Sequence, residues 1–340
     1  LLPACGEAPH DTHVHVKHYE LLLLELGHTL SDEPTDTTAA CVEAFKKIVG
    51  DELFAMAQTI YPEADSAMLA KQPPAQTAFK QDMCGISRDT LYTNLFDTVR
   101  KQFPADYDLA SRFEQPFARL KKNFPELALP RIRTIALGVD SRVNWQMQFH
   151  HNRVRWFEDA RLLTISLEYF LGPKTKYLHP MMPKYVRAQC TPEQLEPVAL
   201  HAIIQELHKP LQQHETPRLL DYMLNAGIRY EALHQLDPEL PEHVILRYTP
   251  EKYEWSKANE AAIYNHLLPK LYESNPLKYE AYINEAPFTK PFGKESPPRL
   301  AEFIGWQIVK AYVENESPEL KSMVENRNYT RVFKQAKYKP

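Results

Sequence analysis

Histidine and carboxylate side chains in one segment, LHAIIQELH (200–208), come closest to a catalytic pattern. A zinc peptidase places H-E-x-x-H on a helix, so that two histidines one turn apart bind the ion and the glutamate acts as base. The corresponding positions here hold His201, Ala202 and Gln205, so the base and the second ligand are missing. His208 lies two turns from His201, too far to share a tetrahedral ion. The segment therefore predicts no working zinc site and no catalytic metal.

A second group of histidines lies near the N-terminus and offers nitrogen ligands for a metal. The segment HVHVKH (13–18) alternates strictly, which predicts a strand with two of these histidines on one face. Because no cysteine or acidic side chain completes a ligand set, a solvated edge strand is the favoured interpretation. The group consists of His10, His13, His15 and His18.

A carboxylate in the middle of a predicted helix is the third candidate. Glu260 follows Asn259 in WSKANEAAIYNHLLPKLY (255–272), where apolar residues recur with helical spacing. A buried acid needs a partner, and we expect Arg299 or Lys310 to provide it. A structural ion pair is favoured over a catalytic carboxylate. The sequence contains no G-x-S-x-G motif, phosphate-binding loop or dinucleotide fingerprint, so no cofactor is predicted.

The segment LLPACGEAPHD (1–11) is similar to a bacterial lipobox. Apolar and small residues precede Cys5, which would carry the acyl chains, while residues 1–4 would end a signal peptide. We therefore predict that residues 1–12 comprise a signal-peptide remnant, a lipidated cysteine and a tether. An ordinary, unmodified cysteine is the alternative.

Three further cysteines bear on stability. Cys41, Cys84 and Cys190 allow at most one disulfide and leave one thiol free, without indicating which two pair. Since none has C-x-x-C spacing, a cysteine zinc site is not expected.

The amino-acid composition excludes some classes of function. The chain has 340 residues, 25% charged and 44% hydrophobic, which is enough apolar side chain for a large core. A net charge of −4 argues against nucleic acid as a partner, because phosphate neutralisation needs a basic excess. No apolar run reaches the length of a membrane-spanning helix.

The elements that must position these residues follow from periodicity. Residues 13–340 are predicted to form a single α+β domain that is predominantly helical, with a small sheet in the N-terminal half. No solenoid repeat occurs. Predicted strands are 13–18, 131–139 and 161–167, and predicted helices are 38–60 with a bend at Gly50, 87–102, 109–124, 192–208, 216–235, 250–273 and 298–315.

The last long helix carries a specific packing signal. In SPPRLAEFIGWQIVKAYVEN (296–315), Gly305 stands beside Trp306 within an apolar stripe. A glycine inside a helix permits close approach of another backbone, and the neighbouring indole fills a large volume. We expect this helix to dock tightly in the core.

These segments together resemble the gliding-motility lipoprotein GldB family of Bacteroidota, from about residue 13 to the end. The order and spacing of several separate motifs make the resemblance specific. The motifs are LLTISLEYFLG (162–172), MPKYVRAQCTPEQL (182–195), LLDYMLNAGIRYEALHQLDPELP (219–241), RYTPEKYEWSKANEAAIYNHLLPKLYES (247–274), NEAPFTKPF (284–292), SPPRLAEFIGWQIVKAYVEN (296–315) and KYKP (337–340).

The resemblance implies a zincin-like, metallopeptidase-related domain that has lost its metal ligands. In the peptidase relatives a third ligand would be a glutamate before a glycine, and Ala226–Gly227 stands at that position here. Architectural roles are expected for the recurring motif residues. They are Tyr169, Gly172, Asn259, Glu260, Pro287, Phe288, Arg299, Gly305, Trp306 and Tyr312.

The resemblance further implies a non-enzymatic protein of the outer membrane, anchored through acyl chains on Cys5. It would support gliding motility, type IX secretion or other envelope machinery through protein partners. Two alternatives stay open. One is a hydrolase that reuses the old cleft, with Glu260 or His201, and the other is a glycan-binding outer-membrane lipoprotein, which an exposed platform of Trp and Tyr side chains would favour.

Overall fold

The computed structural model describes residues 14–31, 38–50, 53–60, 72–104, 107–139, 141–142, 144–157, 161–209 and 217–340. The predictions for the lipobox, for Cys5 and the tether 1–12, and for His10 and His13 lie outside these residues. None of the described helices combines the length and apolar character that crossing a lipid bilayer requires.

Helices account for most of the described chain, and four short strands accompany them. The strands are β1 (Val16–His18), β2 (Arg131–Ile135), β3 (Val154–Phe157) and β4 (Leu162–Ser166). The helices are α1 (Tyr19–Ser31), α2 (Thr38–Val49), α3 (Leu53–Ile60), α4 (Pro73–Arg88), α5 (Thr90–Gln102), α6 (Leu109–Asn123), α7 (Trp145–Asn152), α8 (Lys184–Arg187), α9 (Leu195–Leu207), α10 (Leu219–Leu236), α11 (Glu242–Ile245), α12 (Pro250–Ala258), α13 (Glu260–Leu267), α14 (Glu280–Ile283), α15 (Leu300–Glu316), α16 (Leu320–Glu325) and α17 (Tyr329–Ala336).

The chain divides into two compact units. The N-terminal unit comprises the described residues of Leu1–Lys121 and Glu126–Pro192, and the C-terminal unit comprises those of Lys122–Pro125 and Glu193–Pro340. Two compact units can belong to one folding domain, so the single domain 13–340 stays a prediction.

The sheet belongs to the N-terminal unit, where the strand order is β1-β2-β4-β3. Strands β1, β2 and β4 are parallel, and β3 returns antiparallel to β4. All five residues of β4, Leu-Leu-Thr-Ile-Ser, are buried, as expected of a parallel strand covered on both faces. The three predicted strands are confirmed but are shorter at their ends. The segment between the second and third of them forms α7 and β3.

Helices α1, α2 and α4 pack on one another in the N-terminal unit. A disulfide joins Cys41 of α2 to Cys84 of α4, with 6.2 Å between their Cα atoms, and Cys190 is a buried free thiol. The predicted bend of helix 38–60 at Gly50 is confirmed, since α2 ends at Val49.

The C-terminal unit is built around α10 and α15, which have the most extensive mutual contact of any two helices described. Helix α17 packs on α15 as well. The single helix predicted over 250–273 is wrong, because α12 ends at Ala258 and α13 begins at Glu260. Asn259 at the junction turns its side-chain amide back to the Trp255 carbonyl, 2.8 Å away, which competes with regular helix bonding.

The fold class is therefore confirmed in its main feature, a predominantly helical chain with a small sheet in its N-terminal half. A zincin-like arrangement stays a prediction from the resemblance alone.

Candidate functional site

The point where α10 and α15 cross is formed by two glycines. A Cβ atom added at Gly227 would overlap the Gly305 carbonyl, and one added at Gly305 would overlap the backbone of Met223. Only hydrogen side chains at both positions let the two backbones touch. The close approach expected at Gly305 is thus confirmed, and Ala226–Gly227, the position of a lost zinc ligand in the resemblance, lies at this crossing.

Trp306 occupies the core beside the crossing, with none of its surface exposed. Its indole Nε1 donates a hydrogen bond of 3.0 Å to Glu231 Oε2 on α10. Lys310 Nζ lies 4.3 Å from the indole centroid and 2.5 Å from Glu242 Oε2. The indole is therefore held by packing, a charge-assisted hydrogen bond and a cation–π contact.

A buried arginine precedes α15. Arg299 has a left-handed backbone (φ 55) and 3% exposure. Its guanidinium lies 3.3 Å from Glu285 and 3.1 Å from Glu302, and it donates a hydrogen bond of 2.9 Å to the Leu246 carbonyl. Tyr230 donates its hydroxyl proton to Glu302. We call Tyr230, Glu285, Arg299 and Glu302 the Arg299 cluster.

The electrostatics of the Arg299 cluster favour its charged form. Burial alone would lower the pKa of Arg299, but Glu285 and Glu302 raise it overall. Burial raises the pKa of Tyr230, and Glu302 adds to the effect. The guanidinium therefore stays ionised and the phenol stays neutral at physiological pH.

The degenerate peptidase segment forms α9. The half-buried His201 ring lies 6.0 Å from the Tyr230 ring, Ala202 is half-buried, and Gln205 is exposed. No group of three His, Cys, Asp or Glu side chains in the described part of the chain is arranged to hold a metal ion.

His208, the second histidine of the segment, follows α9 and points elsewhere. Its Nδ1 lies 2.6 Å from the Val324 carbonyl, and Tyr329 stands on its other side. Burial lowers the pKa of His208 to about 3, so this imidazole is neutral at physiological pH. It serves as a link to α16 and α17.

The partners predicted for Glu260 are wrong. Arg299 pairs with Glu285 and Glu302, and Lys310 pairs with Glu242. Glu260 is half-buried and accepts a hydrogen bond of 2.5 Å from the hydroxyl of Tyr338. Glu260 therefore contacts the C-terminal segment KYKP (337–340).

The loop before α15 is fixed by a residue that the sequence did not single out. Pro287 is exposed and Phe288 is half-buried, whereas Thr289 is fully buried. Thr289 Oγ1 donates to the Pro297 carbonyl at 2.8 Å, and Ser296 Oγ bonds back to the Thr289 carbonyl at 3.1 Å. Tyr312, on α15, is buried as its role in the core requires.

In the N-terminal unit, polar side chains gather at the carboxyl ends of the parallel strands. Glu20, at the start of α1 and 1% exposed, accepts the Thr134 hydroxyl, which lies 2.8 and 3.0 Å from its two oxygens. His18 Nδ1 lies 2.8 Å from the same hydroxyl and 3.3 Å from Glu20. Open sheets of this kind bind ligands at this edge.

Glu168 completes this group, and sequence reasoning missed it. It lies in the 3₁₀ turn Leu167–Phe170 directly after β4 and is 2% exposed. Burial raises its pKa to about 8, Glu20 adds to the rise, and the amides of Leu137 and Gly138 oppose it. Within the described residues, no hydrogen-bond partner reaches Glu168 Oε2. We call His18, Glu20, Thr134 and Glu168 the Glu168 site.

Two motif residues near Glu168, Tyr169 and Gly172, lie in and after the 3₁₀ turn that follows β4. Tyr169 is buried, and burial raises the pKa of its phenol. Its hydroxyl has no hydrogen-bond partner among the described residues. Gly172 has φ +96, a conformation that favours glycine, and donates its N–H to the Cys190 carbonyl at 2.8 Å. The signal that could have pointed to Glu168 is its position as the only charged residue of the segment LLTISLEYFLG (162–172).

Exposed aromatic rings bear on the glycan-binding alternative. Tyr272 is 56% exposed and Tyr222 is 40% exposed, and Arg218 lies over the Tyr272 ring. None of the four tryptophans of the chain is exposed. Two tyrosines without a tryptophan make a small platform, so glycan binding stays a prediction.

Comparison with known proteins gives one match. A sequence model of a protein family, described as gliding motility protein GldB, matches residues 33–340. No curated protein and no solved structure matches this chain.

Proposed function

Because this chain belongs to the gliding motility protein GldB family, we propose that it is a lipid-anchored, non-enzymatic protein that supports the motility machinery of the cell envelope through protein contacts. Outer-membrane placement and a link to type IX secretion are the finer parts of the proposal. Acyl chains on Cys5 would hold it there.

The use of the motif side chains in the C-terminal unit supports the non-enzymatic part most strongly. Gly305 lies against backbone, Trp306 is packed and hydrogen-bonded to Glu231, and Arg299 is neutralised by Glu285 and Glu302. Groups committed to one another in this way cannot also take up a substrate without breaking the core. This arrangement supports an architectural role for these motifs.

The disulfide supports a location outside the cytoplasm. Disulfides such as Cys41–Cys84 persist in oxidising compartments and are rare where thiols are kept reduced. Acylation would then supply the membrane affinity, since each buried CH₂ of an acyl chain contributes about 0.8 kcal/mol.

The test is acylation and motility of a Cys5→Ser variant in the gliding host. We expect lipid attached to Cys5 in a mass spectrum of the N-terminal peptide, and we expect Cys5→Ser to release the protein from membranes and impair gliding. Cys190→Ala is the matched control, because it removes a buried thiol that cannot be acylated. Membrane retention and normal gliding of Cys5→Ser would contradict the anchor.

A hydrolase is the second candidate, and the Glu168 site is the observation that favours it. A carboxyl group held protonated near a second carboxylate is the arrangement that acid–base enzymes use. A substrate screen with the parent and with Glu168→Gln tests it. Turnover that disappears in Glu168→Gln, while folding is kept, would favour the hydrolase, and absence of turnover in the parent would favour the scaffold.

A further inference from the structure

One loop of the N-terminal unit is strongly basic, although the chain as a whole has a net charge of −4. The segment from Tyr169 to Pro192 contains no Asp or Glu. Its charged residues are all cationic, and they are Lys174, Lys176, Lys184 and Arg187. All of these residues are described. The three lysines are exposed, and no acidic side chain pairs with any of them in the part of the chain that the structure describes.

Arg187 holds this loop in one shape. Its guanidinium donates to the carbonyls of Pro173 at 3.0 Å, Thr175 at 2.7 Å and His179 at 3.5 Å. Lys184 is three residues earlier on α8 and thus on the same helix face. The arginine therefore fixes the backbone of the loop that carries the lysines, and a preformed loop loses little entropy when a partner binds.

A large apolar side chain stands at the tip of the loop. The amides of Met181 and Met182 both bond to His179, one to its ring Nδ1 at 3.1 Å and the other to its carbonyl at 3.0 Å. This tight turn leaves Met181 73% exposed between Lys176 and Lys184. An exposed methionine in a loop whose exposed charged side chains are all cations has no stabilising role in the isolated fold.

We propose that the loop 173–187 is a docking surface for an anionic lipid headgroup layer, with Met181 entering its interface. Charge complementarity favours this occupant, because clustered lysines next to an apolar tip match headgroup phosphates above acyl chains. The loop goes beyond the acyl anchor of the proposed function, since it would fix how the N-terminal unit faces the membrane.

Leu277 provides an internal contrast. It is 77% exposed, but the adjacent Lys278 pairs with Glu273 at 2.8 Å, so no cationic surface surrounds it. Met181 and Leu277 are thus exposed to a similar extent. They differ in that the lysines near Met181 in the chain have no acidic partner among the described residues, whereas Lys278 has one.

The test is flotation of the full chain carrying Cys5→Ser with vesicles of phosphatidylcholine, alone or mixed with phosphatidylglycerol. Because Cys5→Ser cannot be acylated, any vesicle binding reports on the loop 173–187 and not on the acyl anchor. We expect binding to the mixed vesicles only, weakened by salt, and about a 100-fold loss in a triple Lys→Gln variant, from roughly fivefold per lysine. The variant carries Lys174→Gln, Lys176→Gln and Lys184→Gln.

A triple variant with the same change of net charge is the control, at Lys290, Lys294 and Lys339, which are exposed in the C-terminal unit. Met181→Asp should weaken binding, and Leu277→Asp should leave it unchanged. Equal losses in the two triple variants, equal binding to both vesicle types, or no binding by the parent would overturn the proposal. If the true partner is an acidic protein segment, the parent will not bind either type of vesicle, although the Cys5 anchor of the proposed function would be unaffected.

Discussion

The Arg299 cluster and the Glu168 site are both buried and polar, but they are partnered differently. In the C-terminal unit, Arg299 meets Glu285, Glu302 and a backbone carbonyl. In the N-terminal unit, Glu168 Oε2 meets no hydrogen-bond partner within the described residues. The first group satisfies its charges internally, and the second carries the cost of a desolvated carboxyl group.

This difference separates architecture from potential function. A cluster whose opposite charges are paired with one another specifies how the elements that carry them dock. An unsatisfied buried acid near a second acid marks a place where a proton or ligand could matter. The motif residues that drew attention in the sequence fall mostly in the first class, and the residue it missed, Glu168, falls in the second.

The largest expected effect is at the helix crossing. Trp306→Ala should lower the free energy of unfolding by about 3–5 kcal/mol, because it leaves a cavity and removes the indole donor from Glu231 Oε2. Chemical denaturation measures it. Trp255→Ala, at a half-buried tryptophan, is the control and should cost clearly less. A thermal midpoint equal to the parent's would show that Trp306 does not hold this unit together.

The second-largest loss of stability is expected when the cation of the Arg299 cluster is removed. Arg299→Met should cost about 3 kcal/mol, because Glu285 and Glu302 would be left without their shared counter-charge. Denaturant midpoints at neutral pH report the loss. Arg331→Met, at an exposed arginine, should change little. If the two variants lose equal stability, the cluster is not the structural element described here.

The Glu168 site should make stability depend on pH. The pKa of Glu168 is raised from 4.5 to about 8, so the folded state binds a proton that the unfolded state has released between these values. Stability should therefore fall as pH rises through this window and level off above it, an effect on the order of a few kcal/mol. Glu168→Gln, which keeps a neutral side chain, should flatten this part of the calorimetric profile. A parent and variant with parallel profiles would mean that Glu168 is ionised in the folded protein.

The smallest effect is expected at Glu260. Glu260→Ala should cost about 1 kcal/mol, through loss of the hydrogen bond from Tyr338. Glu314→Ala, at an exposed position of α15, is the control and should be near neutral. Because the bond lies at the C-terminal segment, proteolysis of residues 337–340 should also be faster in Glu260→Ala. Unchanged proteolysis would indicate that the segment is held by other contacts.

Particular residues show what the sequence could and could not predict. The Gly305–Trp306 pair predicted a close helix contact, because only glycine permits backbone contact and the pattern is local. The break at Asn259 was missed, because helical periodicity continues across it and the side chain's turn to Trp255 leaves no pattern. Cation partners for Glu260 were assigned wrongly, since Arg299 and Lys310 pair with acids far away in the sequence or on another loop, Glu285 and Glu242 among them.

Contacts between side chains that are far apart in the chain could not be predicted from the sequence either. Thr289 bonds to Pro297, and Glu20 meets Thr134 only because β1 and β2 are neighbours in the sheet. The disulfide was limited to one of three pairings by counting, but choosing Cys41 and Cys84 required the packing of α2 on α4.

We propose above all that the helix around His201 has a structural role and holds no catalytic metal. The most direct test is the zinc content of the purified full chain after incubation with zinc and dialysis, for the parent and for His201→Ala. We expect less than stoichiometric zinc in both proteins and a thermal midpoint that a chelator does not change. One zinc ion per chain in the parent, lost in His201→Ala, would contradict it.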